Sequence, residues 1–299
     1  MSVPISTLPP VEHRSHTPTA GERLGKLGFA LLVILICAIT FFPIYWMFVT
    51  TIQPTRLTLH FPPSLWPQAF DLSSYRQVFE KQPVGRWILN SILLSAITTA
   101  ICVVLSILGG YALSALRWRG RGLFAIFLLM TQMLPEALII VPVFKLYVDF
   151  PIIHMDLRNN LPAVALIDAA FILPICVWVM KNMFDTVPNE VREAALVDGA
   201  GPIRTLFQIV MPIALPGVVA VGVVAFFYAW NEFLFAQTMI QDPHQKPASV
   251  GLAGMITMLD TPVPLLLAAG MVFAIPPVLF YLAMQRYIVA GIASGAVKG

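Results

Sequence analysis

The chain has very few charged residues for its length. Only 11% of its 299 residues are Asp, Glu, Lys or Arg, while 58% are hydrophobic. Soluble domains carry about 25% charged residues, so this composition excludes an ordinary soluble domain and indicates a protein built for the lipid bilayer. The net charge of +3 is small and scattered along the chain, which argues against nucleic acid as a partner.

The motifs of several enzyme classes are also missing. No Gly-x-x-x-x-Gly-Lys-[Ser/Thr] loop is present to cradle nucleotide phosphates, so energy from ATP must come through a partner. Neither a His-Glu-x-x-His motif nor a Gly-x-Ser-x-Gly turn occurs. The five histidines fall in the N-terminal segment and in loops, and the three cysteines fall in apolar runs without disulfide or metal spacing. We therefore expect neither an enzyme nor a bound cofactor or metal.

What the sequence does contain is a set of long apolar segments. A helix needs roughly 20 apolar residues to cross the hydrocarbon layer. Six segments meet this requirement: 27–50, 87–116, 123–147, 161–183, 213–239 and 264–285. Prolines inside several of them, including Pro135 and Pro174, predict kinked helices around a pathway. The predicted fold class is therefore an all-α membrane protein, a bundle of six transmembrane helices.

The ends of the chain and the loop charges set the predicted topology. Residues 1–26 are rich in Ser, Thr, Pro and His and contain too few apolar groups to fold alone, which predicts a disordered tail before a single transmembrane domain, 27–299. The first apolar run begins late and lacks a small-residue cleavage site, so we interpret it as an uncleaved helix. With the N-terminus inside, basic loop residues are more frequent on the cytoplasmic side, most densely at 117–121, Arg-Trp-Arg-Gly-Arg. The positive-inside rule then predicts that both termini are cytoplasmic.

The segment 184–212, between the fourth and fifth spans, has the composition of a helical elbow at the membrane surface. Pro188 can start a short helix because proline is tolerated in a first turn, and Glu190 favours a helix N-terminus. Gly199 breaks this helix, and Gly201 with Pro202 starts a second one. Three small residues are expected to let a partner approach closely: Ala194, Ala195 and Ala200. The predicted topology puts this elbow in the cytoplasm.

The elbow contains Glu193-Ala-Ala-Leu-Val-Asp-Gly-Ala200 and, downstream, Met211-Pro212. A Glu-Ala-Ala triplet alone is common in helices, but the longer pattern resembles the "EAA" loop of permease subunits in binding-protein-dependent ABC importers. From about residue 27 to the end, the chain resembles maltose-type carbohydrate permeases of the type I ABC importer kind. Further segments carry this resemblance: Arg86-Trp-Ile-Leu-Asn-Ser91, Leu134-Pro135, Trp230-Asn-Glu-Phe233 and 286–299.

The resemblance implies a set of partners. In that family the permease pairs with a second homologous permease subunit above a dimer of ABC ATPase subunits, which bind the ATP, and an extracytoplasmic solute-binding protein delivers the solute. The EAA loop would lie in a groove on the ATPase, with these residues at the contact: Glu193, Ala194, Ala195, Asp198, Gly199 and Ala200. The C-terminal tail, 286–299, would reach towards the ATPases through Lys298 and Gly299. The expected location is the plasma (inner) membrane of a bacterium or archaeon.

Three carboxylates fall inside predicted spans, where ionisable groups are costly and usually face a cavity or a partner. They are Glu136, Asp168 and Glu232. A sugar pathway suits them, because carboxylates and amides such as Asn231 accept hydroxyl hydrogen bonds while Trp230 offers an apolar face. The alternative is that these acids bond neighbouring helices or the partner permease. No arginine lies deep in a span, which favours a neutral sugar or polyol over a sugar phosphate.

Two other functions stay open at this point. A stand-alone secondary carrier normally contains internal repeats with paired broken helices, and residues 27–150 show no convincing match to 151–299. A permease of the same architecture could carry another solute, such as a glycerol phosphodiester or a polyamine. Only the resemblance of the ending, 295–299, favours the carbohydrate branch. The sequence thus predicts the permease of a sugar importer.

Overall fold

The structure, a computed structural model, describes residues 20–54, 57, 65–149, 156–256 and 261–296. Within these ranges the chain is helical or irregular and forms no β-strand. The helices are α1 (Ala20–Thr51), α2 (Ser73–Lys81), α3 (Val84–Ser114), α4 (Arg121–Thr131), α5 (Glu136–Val148), α6 (Leu161–Asp185), α7 (Asn189–Val197), α8 (Pro202–Thr205), α9 (Met211–Ile213), α10 (Leu215–Trp230), α11 (Leu234–Met239), α12 (Ala248–Ala253) and α13 (Val263–Ala296), with a π-helical turn (Leu206–Val210) between α8 and α9. The predicted all-α fold class is confirmed.

The described helices also account for the predicted spans. Four are long and apolar enough to cross a membrane unaided: Leu24–Thr51 of α1, the whole of α3 and α6, and Val263–Tyr287 of α13. Two further pairs are bent at a break, because α4 meets α5 at 93° and the segment Pro202–Ile213 meets α10 at 82°. Counting each bent pair as one span gives six, the number that the apolar segments predict.

The third and fifth spans differ in detail from the prediction. Residues 123–147 do not form one kinked helix, since α4 ends at Thr131 and α5 begins at Glu136, directly after Pro135. The prediction of a continuous span over 213–239 is wrong, since α10 ends at Trp230 and the separate helix α11 begins at Leu234. At 1.5 Å per residue α10 is about 24 Å long, shorter than a hydrocarbon layer of about 30 Å. The fifth span therefore combines α10 with the segment before it, Pro202–Ile213.

Both ends of the described chain are more helical than the sequence suggests. Helix α1 begins at Ala20, before the boundary predicted at residue 27, because residues 20–26 include good helix formers such as Ala, Glu, Leu and Lys. Residues 1–19 of the predicted tail lie outside the described residues. Helix α13 continues to Ala296, so most of the segment 286–299 is helical, whereas Lys298 and Gly299 lie outside the described residues.

The centre of the fold is the packing of α3 against α6, with α10 against both. One face of α3 carries small buried residues at helical spacing: Ser91, Ser95, Thr98, Cys102, Ser106 and Gly110. Small side chains let membrane helices approach closely. At Gly110 an added Cβ would lie 2.7 Å from Met180 Cβ and 2.9 Å from the backbone nitrogen of Lys181. Around this contact lies a buried apolar cluster in which the rings of Tyr111 and Phe184 meet edge to face.

The first turns of α3 hold the loop between α11 and α12. Asn90 Nδ2 donates to the carbonyl oxygens of His244 and Lys246 at 2.9 Å and 3.0 Å. Trp87 Nε1 donates to the carbonyl oxygen of Pro243 in the same loop, and Ser91 Oγ accepts from the N–H of Ala248 at the start of α12. Residues 86–91 are one of the segments that carry the family resemblance, and the structure gives this segment a role in anchoring a loop.

The tight contact between α3 and α6 leads to a prediction about two glycines in long helices. Gly110→Ala should lower the free energy of unfolding by about 1–3 kcal/mol, because the new Cβ overlaps the backbone of α6. Gly222→Ala is the matched control, since its Cβ would meet nothing closer than Thr99 Cγ2 at 4.0 Å. Thermal unfolding in mild detergent measures both. Equal melting temperatures for the two variants would contradict the packing described here.

Candidate functional site

The elbow, residues 184–212, contains the two short helices that the sequence predicts. Helix α7 begins directly after Pro188, whose fixed φ suits a helix start. It runs through Glu193 and ends at Val197. Helix α8 begins with Pro202 at its first position. The π-helical turn and α9 then connect the elbow to α10, so the elbow is continuous with the bent fifth span.

Gly199 ends α7 in a conformation that favours glycine. Its φ is +77°, in the left-handed region where a residue with a Cβ is strained. The N–H of Gly199 donates to the carbonyl of Leu196 at 3.1 Å, and the N–H of Ala200 donates to that of Ala195 at 2.9 Å. These are the two hydrogen bonds of a Schellman cap. An added Cβ at Gly199 would meet nothing within 4 Å, so backbone conformation, and not space, explains this glycine.

The elbow exposes large apolar side chains among its polar ones. Val197 is 87% exposed and Ile203 is 75% exposed, and exposed apolar patches of this kind mark protein contacts. Several of the predicted contact residues lie on the same exposed side: Glu193, Ala194, Asp198 and Gly199. Ala195 and Ala200 are buried within the chain itself. Their small size therefore serves the packing of α7 on its own bundle, and contact of these two residues with a partner stays a prediction.

Arg192 ties the elbow to the two central helices. Its guanidinium donates to the backbone carbonyl of Phe184 and lies 3.3 Å from both Ser114 Oγ and Asn189 Oδ1. Ser114 is the last residue of α3, and Phe184 lies in the last turn of α6. One half-buried side chain thus joins α7 to the ends of both helices. The sequence gives no signal for this role, because Arg192 is there only one of several basic residues in the loops.

Two of the predicted pathway carboxylates have well-defined hydrogen-bond partners. Glu136 is half-buried at the start of α5, and the hydroxyl of Tyr228 in α10 donates to its Oε1. Glu232 is buried, and its Oε1 accepts the backbone N–H groups of Phe235 at 2.5 Å and Ala236 at 3.0 Å. Glu232 therefore caps the N-terminus of α11, which explains why the chain can break after α10 inside an apolar sequence.

Asp168 has no such partner. It is fully buried in α6, no backbone N–H or basic side chain of the described residues donates to its carboxyl oxygens, and its side-chain neighbour is the acid Glu232. It interacts electrostatically with both Glu232 and Glu136, so the structure brings the three predicted acids together. In the described ranges no group of three or more His, Cys, Asp or Glu residues could hold a metal ion. Of the three acids, only Glu136 is partly exposed.

The two polar residues at the end of the fifth span have opposite environments. Trp230 is buried, with its ring stacked on Phe226 and Phe273 at centroid distances of 5.7 Å and 4.9 Å. Its ring is used in packing within the chain, and a contact of Trp230 with a sugar stays a prediction. Asn231 is exposed, and its Nδ2 donates to the carbonyl of Phe227 at 2.8 Å. Asn231 is thus an exposed polar group at the end of α10.

Bent membrane spans, acids gathered inside the bundle and a surface elbow at one end define a class of protein, the multi-pass transport permease. The profile of one permease family, described as "Binding-protein-dependent transport system inner membrane component", matches residues 103–294. The chain belongs to this family. It is the transmembrane permease subunit of a binding-protein-dependent ABC importer and is not an enzyme.

The chain is similar to other permeases over nearly the whole length of both proteins. The inner membrane ABC transporter permease protein YcjP of Escherichia coli K12 is 32% identical over 283 residues, 94% of this chain and 99% of the relative. The trehalose/maltose transport system permease protein MalG of Thermococcus litoralis is 30% identical over 282 residues, 93% and 99% of the two chains. A solved bacterial ABC transporter for the acidic polysaccharide alginate has a chain of the same fold, with a TM-score of 0.77 and 21% identity, covering 90% of this chain and 98% of that one.

The environment of Asp168 leads to a prediction about stability. Asp168→Asn should raise the free energy of unfolding by about 1–3 kcal/mol, because a neutral amide that can donate a hydrogen bond replaces a buried acid beside two other carboxyl groups, Glu232 and Glu136. Glu232→Ala should lower it by about 1 kcal/mol, because α11 loses its cap. Both are measured by thermal unfolding of the purified protein in mild detergent. A lower melting temperature for Asp168→Asn would contradict the environment described for this side chain.

Proposed function

We propose that this permease forms half of the translocation pathway for a neutral sugar or polyol, and that its elbow transmits motion from an ATPase subunit. The observation that carries the proposal is the exposed surface of α7, which combines Glu193 with the large apolar side chains of Leu196 and Val197. It is held by Gly199 at one end and by Arg192 within the helix. Because the chain has no nucleotide-binding loop, ATP must act through another subunit. Among the described surfaces, the elbow is the one best suited to bind that ATP-hydrolysing subunit.

Coupling of this kind requires a stiff connection between the docking surface and the membrane helices. The Schellman cap at Gly199 fixes the angle between α7 and α8. The hydrogen bonds of Arg192 to Phe184 and Ser114 hold α7 against the ends of α6 and α3. When the ATPases close on ATP, the elbow and these helices would move together as a rigid body. The elbow performs no chemistry in this mechanism.

The proposal also assigns a topology and a set of partners. The elbow end of the bundle faces the cytoplasm, and both termini lie on that side. The basic segment 117–121 follows Ser114, which bonds Arg192 of the elbow, so the positive-inside rule supports the same orientation. We infer a second homologous permease subunit beside this one, an ABC ATPase dimer below, and an extracytoplasmic solute-binding protein at the opposite end.

A neutral sugar or polyol fits the polar groups that a solute can reach. Glu136, its partner Tyr228 and Asn231 can exchange hydrogen bonds with hydroxyl groups without supplying positive charge. The relative MalG is named for trehalose and maltose. A phosphodiester would require cationic groups in the pathway. A polyamine would require several accessible carboxylates, and Asp168 and Glu232 are buried.

Gly199 and Gly201 provide a matched test of coupling. An added Cβ meets nothing within 4 Å at either position, but Gly199 has a φ of +77° and Gly201 a φ of −68°. Gly199→Asp should leave the complex assembled in the membrane while ATP-driven uptake falls about tenfold, because left-handed strain of about 1–2 kcal/mol disturbs the cap. Gly201→Asp adds the same charge without that strain and should keep most uptake.

The measurement is uptake and ATP hydrolysis in proteoliposomes that contain the whole importer with its binding protein. In the Gly199→Asp variant we expect hydrolysis to continue without matching uptake. Normal uptake by Gly199→Asp, or equal losses in both glycine variants, would remove the support for the elbow as the coupling element.

A further inference from the structure

We propose that the segment 117–130, between α3 and α4, is a binding site for one anionic phospholipid. The head group would bind Arg117, Arg119 and Arg121, and one acyl chain would lie on the exposed face of α4. This inference goes beyond the coupling function. It depends on the membrane location of the protein and not on which subunit the elbow contacts.

The first observation is unbalanced positive charge. Arg117, Arg119 and Arg121 are exposed, and none of them forms an ion pair with a described residue. The sequence contains no Asp or Glu between Glu80 and Glu136, so the neighbouring helices offer no acid close in sequence. Guanidinium groups form bidentate, charge-assisted hydrogen bonds with phosphate oxygens. A phosphate-bearing head group therefore supplies the anion that the chain itself lacks here.

The second observation is that this segment is held in place. Gly120 has a φ of +90°, so it turns the chain immediately before α4 begins at Arg121. Trp118 Nε1 donates to the carbonyl of Ala112 in α3 at 3.2 Å. Its ring also packs edge to face on Phe124 of α4, with centroids 5.9 Å apart. Tryptophan is enriched at the boundary between hydrocarbon and water, so Trp118 sets the arginines at the level of lipid head groups.

The third observation is an apolar groove that begins beside the arginines. Helix α4 exposes large apolar side chains at positions i, i+3, i+4 and i+7: Leu123, Ile126, Phe127 and Met130. Together with Gly120 and Phe124 they line a groove of about 450 Å³. The buried side of α4, at Ala125, packs towards Val177 of α6. The groove lies in a bent membrane span, so a lipid acyl chain is the apolar group available to fill it.

The positive charge of the three arginines favours a lipid over a second permease subunit as the occupant of the groove. An apolar partner helix could cover Leu123 and Phe127, but it would leave three guanidinium groups without an anion. A phospholipid such as phosphatidylglycerol satisfies both parts of the surface, since its phosphate and its acyl chains are joined in one molecule. Anionic lipids are also the species that basic clusters next to membrane helices attract.

The test is lipid retention by the whole importer, purified from nanodiscs that contain phosphatidylethanolamine and phosphatidylglycerol and examined by native mass spectrometry. The test variant combines Arg117→Gln, Arg119→Gln and Arg121→Gln. The matched control combines Arg76→Gln, Lys81→Gln and Arg86→Gln, which removes the same charge from α2 and the start of α3, at the opposite end of α3. We expect the test variant to retain about tenfold less phosphatidylglycerol than the wild type and the control to retain the wild-type amount.

A second variant separates loss of binding from loss of structure. Replacing the same three arginines by lysine keeps the charge and should restore most of the retained lipid. In nanodiscs of phosphatidylcholine, wild type and test variant should retain equal amounts of lipid. Equal phosphatidylglycerol retention by wild type and test variant, or equal losses in both glutamine triples, would overturn the site. Loss of a permease subunit with unchanged lipid would instead assign the surface to a subunit interface and also overturn it.

Discussion

The close packing of α3 against α6 is the contact on which the rest of the structure depends. Within a membrane, helices gain little from hydrophobic burial and associate through fit, which the small residues of α3 and the bare backbone of Gly110 provide. This contact creates the surface on which α10 packs. It also brings Ser114 and Phe184 together, so that Arg192 can bond to both. The position of the elbow is therefore a consequence of small side chains inside the bundle.

The parts of the fold that local signals encode could be predicted from the sequence. Apolar length predicts the six spans, while Pro188, Gly199 and Pro202 predict the two helices of the elbow. The 93° bend between α4 and α5 could not be predicted, because a proline indicates a break but not its angle. The end of α10 at Trp230 could not be predicted for a related reason. Residues 213–239 read as continuously apolar, and the break depends on how the side chain of Glu232 caps the next helix.

In the candidate site, the sequence does not predict which side chains are buried or which distant residues meet. Ala194 and Ala195 are the same residue type, yet only Ala195 is buried. The rotation of α7 about its axis decides which of its faces packs against the bundle, and the sequence does not encode that rotation locally. Trp230 has the chemistry to stack on a sugar, but neighbouring phenylalanines stack on its ring. The convergence of three acids from separate segments of the chain, and the reach of Arg192 to two helix ends, depend on tertiary structure and have no sequence signature. The elbow can be predicted because it is local, and the cluster of acids cannot because it is assembled from distant segments.

The central claim, that the exposed face of the elbow docks on an ATPase subunit, is tested most directly by site-specific cross-linking. Cys37 is the exposed cysteine of the described residues, so a Cys37→Ser background is the starting point. Val197→Cys, at an 87% exposed position, is compared with Ala195→Cys, at a 3% exposed one. A short thiol-to-amine cross-linker applied to the intact importer should join the Val197→Cys chain to the ATPase subunit and leave the Ala195→Cys chain free. No ATPase adduct at Val197→Cys, in an importer that still assembles and hydrolyses ATP, would contradict the account.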